Sequence, residues 1–365
     1  MLNDNIIIEA RNKLRLSRRK LSELTEIPER IIKKFESFNN KDEIFIKEKE
    51  NLFKLSTYLD IDFNKLIINL SLPMEKFRNE YYKNEKALGK EEIFFSSWQS
   101  FLKYFLENIF QKFDMDLIWR GQENPKWLLQ SSLVRNYSEN EMDEELVGII
   151  LNYFKEALRG KTEAINIEHI ELLHPGIKIN DNEEKGEIQK EIYKYLSLGQ
   201  HYGLNTPLLD WTKSPFIASY FAFSNLRYNE SNYRVVYAIN KPLLLEMLEK
   251  NGELSDNVKL LEERTHFNLR LINQQGIFIY GPLKTDLENW ILTEYSKYSS
   301  NNLDIELFGV DLTEKKTILY KFFIPNYDRN SIMKFLNIMN INPTTLFPDV
   351  SGAAKTANLN LELGI

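Results

Sequence analysis

The chain has 365 residues, of which 43% are hydrophobic, and it carries a formal net charge of −6. This length predicts two or three domains, since a domain typically has roughly 100–200 residues. Cysteine is absent, which excludes disulfides, thiol nucleophiles and thiolate metal ligands and fits a reducing compartment, here predicted to be the cytoplasm. The sequence shows neither an apolar run of about 18 residues nor the features of a secretory signal, so no membrane partner is expected.

The charge is unevenly distributed along the chain. The first 70 residues contain 14 Lys and Arg against 12 Asp and Glu, whereas the remaining residues carry the acidic excess. An acidic chain is not expected to bind nucleic acid over its entire surface. Any DNA-binding face is therefore predicted to be local and N-terminal.

Residues 1–70 predict a bundle of helices. Apolar residues recur at helical spacing, Ser17 is a suitable N-cap and Pro28 suits the first position of a helix. The predicted helices are Ile6–Leu16, Arg18–Thr25, Glu29–Ser37 and Ile44–Leu59. A helix, a short turn and a second helix within so short a segment are typical of a helix-turn-helix domain.

The run from Ser17 to Ser37 (SRRKLSELTEIPERIIKKFES) resembles the XRE, or phage-repressor-like, class of helix-turn-helix domains. It departs from that class at Arg19, where Gln is usual, and at Pro28-Glu29-Arg30, where small polar residues are usual. The resemblance implies that the second helix of the motif enters the major groove of DNA. The predicted DNA-binding residues are Arg30, Lys33 and Lys34 toward base edges and Arg18, Arg19 and Lys20 toward phosphates.

An alternative interpretation of the basic run is a solvated helix face. The N-terminal module would then serve dimerisation or the binding of another protein rather than DNA. The sequence therefore leaves a homodimer open as one possible assembly.

Residues 71–92 are polar and charged and are predicted to be a linker, in which a helix over Met74–Ala87 is compatible with the pattern. Residues 93–365 are predicted to be a second domain of α+β class, because helices and strands are mixed without βαβ alternation. Its predicted helices are Trp98–Lys112, Glu141–Arg159, Glu187–Leu198 and Ser214–Phe223, and its predicted strands are Asp116–Arg120, Arg234–Ile239, Gly276–Tyr280 and Thr317–Ile324. The segment Lys126–Val134 is predicted to be extended or rich in turns.

The tetrapeptide Trp119-Arg120-Gly121-Gln122 resembles the motif of the FRG domain, in which an aromatic or aliphatic residue precedes Arg and Gly. Further blocks agree with that family in order and spacing: Trp127–Arg135, Gln200–Ala222, His266–Phe278 and Ile341–Gly352. The most specific of them is QHYGLNTPLLDWTKSPFIASYFA, which begins at Gln200. The resemblance spans about residues 93–360.

The order of elements in the FRG domain is similar to that of ADP-ribosyltransferases, which bind NAD⁺ through three short motifs. The resemblance implies that Arg120 ends the first strand, that Leu208–Thr212 leads into a helix, and that Asn273–Gly276 opens the last strand. It also implies NAD as the cofactor and a protein or nucleic acid as the target of transfer. Fusions of this kind resemble toxin or phage-defence effectors.

These positions suit the chemistry of NAD⁺. An Arg offers paired donors to a pyrophosphate or a ribose, and a Trp or Tyr offers a ring that stacks on nicotinamide. Cleavage of a glycosidic bond passes through an oxocarbenium-like state, which a carboxylate stabilises. The third motif contains Gln274 and Gln275 instead of Glu, so either Asp210 supplies the anion or the site binds NAD-like ligands without efficient turnover.

The candidate catalytic residues are Arg120, His201, Asp210 and Gln275, and the candidate cofactor-binding residues are Arg120, Gln122, Tyr202, Trp211, Thr212, His266, Arg270 and Gln274. Structural roles compete with several of these functional ones. Arg120 could form a structural salt bridge, Asp210 or Thr212 could cap a helix, and Asp349 is interpreted as a turn former. No metal site is predicted, because His169 and His174 are typical of residues at the end of a helix.

Three functions are compatible with the sequence. The first is an ADP-ribosyltransferase-like effector with a DNA-binding N-terminal module. The second is a non-catalytic transcription regulator whose FRG domain senses a nucleotide-like ligand. The third is an effector that the N-terminal bundle holds inactive through a protein contact.

Overall fold

A computed structural model describes residues 6–37, 48–61, 66, 81–111, 116–137, 143–158, 182–225, 232–250, 258–262, 269–301 and 317–364. In these ranges helices surround one mixed sheet of eight strands. The predicted α+β class is therefore confirmed at this coarse level. The likeness of the larger domain to the ADP-ribosyltransferase fold stays a prediction.

The helices are numbered in chain order. They are α1 (Ile6–Lys13), α2 (Arg18–Thr25), α3 (Glu29–Glu36), α4 (Lys49–Tyr58), α5 (Trp98–Tyr104), α6 (Ser132–Asn136), α7 (Glu144–Leu158), α8 (Asn182–His201), α9 (Pro215–Phe223), α10 (Lys241–Lys250), α11 (Leu269–Asn273), α12 (Leu287–Asn301), α13 (Arg329–Ile338), α14 (Pro343–Leu346) and α15 (Val350–Leu363). A π-helix over Phe105–Phe110 follows α5, and a 3₁₀-helix over Asn326–Asp328 precedes α13.

The strands are β1 (Tyr81–Ala87), β2 (Lys90–Phe95), β3 (Leu117–Gln122), β4 (Leu208–Thr212), β5 (Tyr233–Asn240), β6 (Lys259–Leu261), β7 (Gly276–Tyr280) and β8 (Leu319–Pro325). Their order in the sheet is β1-β2-β8-β5-β3-β4-β7-β6. Strands β2 and β8 run parallel, and the other neighbouring pairs are antiparallel. Long-range antiparallel pairing of this kind agrees with the absence of βαβ alternation in the sequence.

The sheet opens between β3 and β4. Strand β3 pairs with β5 along its whole length, but its pairing with β4 is confined to Trp119 opposite Thr212. Beyond that pair the ladder is interrupted, and the Nη1 atom of Arg120 donates a hydrogen bond to the Asp210 carbonyl at 2.5 Å. The candidate site lies at this opening.

Both faces of the sheet are covered by apolar helix surfaces. Helices α5, α9 and α13 cover one face, where Phe101, Phe223 and Ile332 are buried against Phe322 of β8. Helices α10 and α12 cover part of the other face. Helices α7 and α8 pack against β4 and β7 at the far end of the sheet.

The N-terminal helices share an apolar core with the sheet. Ile32 and Phe35 of α3 belong to the same buried cluster as Phe94, Tyr233 and Phe323 from β2, β5 and β8. The rings of Phe94 and Phe323 stack with their centroids 4.1 Å apart. A hydrogen bond from Asn232 Nδ2 to the Asp60 carbonyl, 2.6 Å long, adds a polar contact at the same junction.

The predicted helix over Met74–Ala87 is wrong where the structure describes it. Residues 81–87 form edge strand β1, which pairs antiparallel with β2. The turn between them contains Gly89, whose φ of +76° lies in the left-handed region that favours glycine. Pairing with a distant strand here overrides the local helical pattern. Residues 81–92 of the predicted linker thus belong to the sheet, and the domain boundaries themselves stay a prediction.

Two other predicted elements differ in detail. The helix from Trp98 to Lys112 changes to π-helical geometry at Phe105. The segment Lys126–Val134 forms turns and then enters α6, which Ser131 caps by accepting a hydrogen bond from the Val134 N–H. A serine cap before an apolar pair is a helix-start signal that the extended interpretation overlooked.

Candidate ligand-binding cleft

A cleft of about 880 Å³ lies at the opening between β3 and β4. Clefts of a few hundred to a thousand Å³ typically hold small ligands and cofactors. Side chains from β3, β4 and β7, from α8, α9 and α11, and from the 123–130 loop line it. The candidate residues that it brings together are Arg120, Gln122, His201, Asp210, Trp211, Thr212, Arg270 and Gln274.

Gly121 allows helix α9 to lie directly on strand β3. A Cβ atom added to Gly121 would come within 1.8 Å of the Ala218 carbonyl oxygen and 2.6 Å of the Ala222 nitrogen. No side chain fits in that space, because both neighbours are backbone atoms. The glycine of the sequence motif therefore has a structural explanation in the close approach of a helix to the strand that carries Arg120.

The Arg120 side chain is partly buried in the cleft wall. Its Nη1 atom bonds the Asp210 carbonyl, while its Nε atom has no hydrogen-bond partner among the described residues. Burial lowers the pKa of Arg120, with Asp210 opposing this shift and Arg135 adding to it. In the described part of the chain Arg120 forms no salt bridge, so the competing structural role is not supported there. The guanidinium remains a cation, and Arg120 lines the cleft.

Asp210 is held by a neighbouring amide. Its Oδ1 atom accepts a hydrogen bond from Gln200 Nε2 at 2.6 Å, and Gln200 Oε1 accepts from the Thr206 hydroxyl. This chain of bonds orients the carboxylate, which is solvent-exposed. The alternative role as a helix cap is wrong for Asp210, because Ser214 caps α9 by accepting from the Ile217 N–H.

Thr212 connects two strands at the base of the cleft. Its hydroxyl donates to the Gln274 carbonyl at 2.7 Å and accepts from the Ser214 N–H at 3.2 Å. Gln274 also lines the cleft, and its Nε2 atom donates to the Leu346 carbonyl at 3.1 Å. These bonds position the backbone of β4 and of the turn before β7, and the role of Thr212 and Gln274 in binding a cofactor stays a prediction.

Gln275 lies outside the cleft. It occupies the turn before β7 with a φ of +47°, and its side chain is exposed. The Gln275 N–H donates to the Ile272 carbonyl, and its own carbonyl accepts from the Lys213 N–H. The left-handed turn explains why the side chain is not where a catalytic group was predicted.

His201 and Tyr202 stand at the end of α8. His201 lines the cleft and is half-buried. Its pKa is lowered by burial and by the Arg270 cation, while Asp349 opposes the shift. The imidazole is therefore mainly neutral at neutral pH. Tyr202 contacts the His201 ring but is 73% exposed and does not line the cleft.

Arg270 forms one wall of the cleft together with Phe347. Its Nη2 atom bonds Asp349 Oδ2 at 2.9 Å, and its guanidinium lies 4.9 Å from the centre of the Phe347 ring. Asp349 caps α15 by accepting from the Gly352 N–H. Its pKa is lowered to about 2 by hydrogen bonds from the Ser351 hydroxyl and the Gly352 N–H and by the Arg270 cation. Asp349 is thus a helix cap and an ion-pair partner rather than only a turn former.

The cleft is basic although the protein is acidic. Arg120, Lys126, Arg135 and Arg270 line it together with the two carboxylates Glu123 and Asp210. Lys126 pairs with Asp60 and Arg270 with Asp349, so Arg120 and Arg135 are the two lining cations without a salt bridge to a described residue. A concave surface with an excess of cations attracts an anionic ligand such as a phosphate ester. Gln200, Lys126 and Arg135 were not named as candidates. Arg135 ends one segment that resembles the FRG family and Gln200 begins another, and this resemblance was the available signal for both residues.

Residues 115–231 match the model of the FRG domain. The FRG domain thus occupies less than half of the 365 residues. It contains β3, β4 and α9 and with them Arg120, Gln200 and Asp210, whereas Arg270 and Gln274 lie C-terminal to the match. The curated proteins and the solved structures gave no match. The resemblance of residues 17–37 to the XRE class stays a prediction.

Three of the four histidines lie in segments that the structure does not describe. His266, a candidate cofactor-binding residue, and the pair His169 and His174 lie outside the described residues. Within the described ranges, His, Cys, Asp and Glu form no group of three that could hold a metal ion. In the same ranges, no helix has the length and apolar character needed to cross a membrane.

Proposed function

We propose that this chain is an NAD⁺-using, ADP-ribosyltransferase-like enzyme and that its FRG domain provides the catalytic cleft. The observation that carries the proposal is the meeting of Arg120 and the oriented Asp210 carboxylate in one basic cleft. A dinucleotide brings a pyrophosphate, which suits the cations, and a glycosidic carbon, which suits a carboxylate. Asp210 takes the catalytic role rather than Gln275.

Each residue has a distinct part in the proposed reaction. NAD⁺ supplies a ribosyl carbon whose bond to nicotinamide breaks with the electron pair leaving on nicotinamide, after which a nucleophile of the target bonds to that carbon and loses its proton. Asp210 stabilises the positive charge that develops on the ribose, and Gln200 keeps its carboxylate in place. Arg120 binds a ribose hydroxyl at the nicotinamide end of NAD⁺. Neutral His201 can accept the proton that the nucleophile loses.

The test is consumption of NAD⁺ and release of nicotinamide by the purified full chain. Asp210→Asn should lower the rate by roughly 100-fold or more, since it removes the anion and keeps the shape of the side chain. Asp116→Asn is the matched control, because Asp116 is an exposed partner of Lys241 and does not line the cleft. An unchanged rate in Asp210→Asn, or no NAD⁺ consumption by the wild type, would contradict the catalytic proposal.

A second function is favoured by the contact between the N-terminal helices and the cleft rim. Lys126 lines the cleft, and its Nζ atom lies 4.0 Å from Asp60 Oδ2 at the end of the N-terminal helices. This contact supports a non-catalytic regulator in which a nucleotide-like ligand in the cleft alters DNA binding. NAD⁺ that binds without being consumed and changes DNA affinity would favour this regulator over the enzyme.

The proposed DNA-binding face is the exposed side of α3. Arg30, Lys33 and Lys34 lie at i, i+3 and i+4 and are exposed, whereas Ile31, Ile32 and Phe35 are buried behind them. None of these three cations has a salt bridge to another described residue. A basic helix face of this kind suits phosphates or base edges.

The other three predicted contacts are less available for DNA. Arg18 bonds the buried Glu36, and both Arg19 and Lys20 pair with Glu23. We expect Arg30→Ala and Lys33→Ala each to weaken binding in a gel shift and to reduce its salt dependence. Arg19→Ala is the control with a smaller effect. Binding that is absent or insensitive to salt would contradict the DNA proposal and favour a protein-binding role for these helices.

A further inference from the structure

Four residues that line the cleft carry buried polar atoms without a partner among the described residues, and one of the four, Arg270 Nε, belongs to the side chain that pairs with Asp349. Arg120 Nε, Gln122 Oε1 and Trp211 Nε1 are buried and form no hydrogen bond to any described residue. The Gln122 and Trp211 side chains belong to residues that are only 7% and 2% exposed. Buried polar atoms are usually satisfied, so a group of unsatisfied ones in one cleft indicates where a ligand would bind.

The orientation of the Gln122 amide is fixed by the loop beneath it. Its Nε2 atom donates to the carbonyl oxygens of Trp127 and Leu128 at 3.3 and 3.2 Å. The reversed amide would place Oε1 against these two carbonyl oxygens, which are acceptors as well. The unpartnered atom is therefore the oxygen, and it requires a donor from the ligand.

Trp211 Nε1 and Arg120 Nε have the opposite requirement. An indole N–H and a guanidinium N–H can only donate, so Trp211 and Arg120 require an acceptor from the ligand. A ligand that satisfies all three atoms therefore presents both an acceptor oxygen and an N–H donor. A primary carboxamide has this pair of atoms, whereas a carboxylate has no N–H for Gln122.

We propose that Gln122, Trp211 and Arg120 recognise a primary carboxamide on an aromatic ring, such as the nicotinamide end of NAD⁺. The amide oxygen accepts from Trp211 Nε1 and Arg120 Nε, and the amide nitrogen donates to Gln122 Oε1. The cleft is also lined by Phe221, Phe278 and Phe347, which suit a flat ring. This inference rests on the proposed use of NAD⁺ and specifies which end of it the buried polar atoms bind.

The first test uses matched ligands and the full-length wild-type protein. Calorimetry compares NAD⁺ with its deamidated analogue, nicotinic acid adenine dinucleotide, and nicotinamide with nicotinate. In both pairs the amide should bind roughly 10- to 100-fold more tightly, because the acid leaves Gln122 Oε1 facing an anion. Equal affinities in both pairs, or a preference for the acid, would overturn the inference.

Two variants then test which residues distinguish the amide from the acid. Gln122→Met should remove the difference between amide and acid, whereas Trp211→Phe should weaken both ligands by roughly 10-fold because both have an acceptor oxygen. Trp98→Phe is the control for Trp211→Phe. Trp98 is also buried with an unpartnered Nε1 atom, but it does not line the cleft. If Trp98→Phe weakens binding as much as Trp211→Phe, the assigned contact is wrong.

Different results would contradict carboxamide recognition and the proposed enzymatic activity. A clear amide preference without any consumption of NAD⁺ supports carboxamide recognition and contradicts catalysis. Consumption of NAD⁺ together with equal affinity for amide and acid supports catalysis and overturns the assigned contacts. Failure of both nicotinamide and NAD⁺ to bind at millimolar concentration would overturn both.

Discussion

At the scale of single residues, Gly121 is the glycine of the cleft wall that leaves the least space for a Cβ atom. Because a Cβ atom there would clash with the backbone of α9, Gly121→Ala should destabilise the protein by about 3 kcal/mol or more, at the upper end of the cost of overpacking. Gly203→Ala is the matched control. Gly203 has a φ of +94° but open space around it, so only the backbone strain of about 1 kcal/mol is expected.

Urea denaturation of the two variants measures this difference. Equal midpoints for Gly121→Ala and Gly203→Ala would show that α9 can move away from β3 at little cost. The cleft would then not require the close approach of α9 to β3 at Gly121.

The ionisation of Asp349 should make the free energy of unfolding depend on pH. Its pKa of about 2 in the folded protein lies below the value of about 3.9 for an unperturbed Asp. The interactions of the Asp349 carboxylate therefore stabilise the folded state fully above pH ~4 and are lost as the pH falls toward 2. In Asp349→Asn, which keeps a capping side chain, the loss of unfolding free energy should be constant above pH ~4 and shrink below it.

The measurement is a set of urea unfolding curves between pH 3 and pH 7. Asp349→Ala is the comparison, since it also removes the α15 cap and should remain less stable than wild type throughout that range. A difference between wild type and Asp349→Asn that does not change with pH would mean that the ionised carboxylate adds nothing to folding.

The sequence predicted part of the candidate site at residue level. Arg120, Asp210 and Arg270 were named from motif blocks, and the structure places them in one cleft. Gln275 was misplaced because the left-handed conformation of a turn residue is not visible in a motif. The bond between Gln200 and Asp210 depends on how the end of α8 meets β4, and sequence spacing does not give that contact.

At the scale of elements, two buried arginines terminate helix α9. Arg234 donates to the carbonyls of Ala222 and Asn225 at 2.6 and 2.8 Å, and Arg329 donates to the carbonyls of Phe223 and Ser224. These cations satisfy the free carbonyl groups at the C-terminus and interact favourably with the helix dipole. Burial lowers the pKa of Arg234 to about 10, so it stays protonated at neutral pH.

Arg234→Lys should therefore be destabilising even though the charge is kept. An ammonium group cannot reproduce the planar fork that bonds two carbonyls and the Asn326 side chain, and we expect a loss of about 2 kcal/mol. Arg19→Lys is the matched control, because Arg19 is exposed and pairs only with Glu23 among the described residues. Thermal unfolding of both variants tests this, and equal melting temperatures would contradict a capping role for the Arg234 fork.

The elements that the sequence predicted well are those whose signal is local. Strands β5 and β7 are nearly continuous apolar runs, and their predicted bounds differ from the observed ones by no more than one residue at either end. Helices α2 and α9 have serine caps that mark their start. Strand β1 was missed because its polar edge sequence has no such signal and its conformation comes from pairing with β2.

At the scale of the whole molecule, the N-terminal helices and the sheet share one buried cluster. Phe323 is central to it, because it stacks on Phe94 and lies beside the cluster formed by α1 to α4. This arrangement differs from two domains on a flexible linker. It predicts that the N-terminal helices and β8 open together rather than separately.

Hydrogen exchange followed by mass spectrometry tests that coupling directly. Amides of α2 and α3 should be protected to a similar free energy of opening as those of β8. Phe323→Ala should lower protection in both regions, with a cost of about 3 kcal/mol that is typical of a buried aromatic ring. Leu361→Ala is the control, because Leu361 is a highly exposed residue of α15. Rapid exchange in α2 and α3 beside a fully protected β8 would contradict coupling, and with it a route from the cleft to the proposed DNA-binding face through this core.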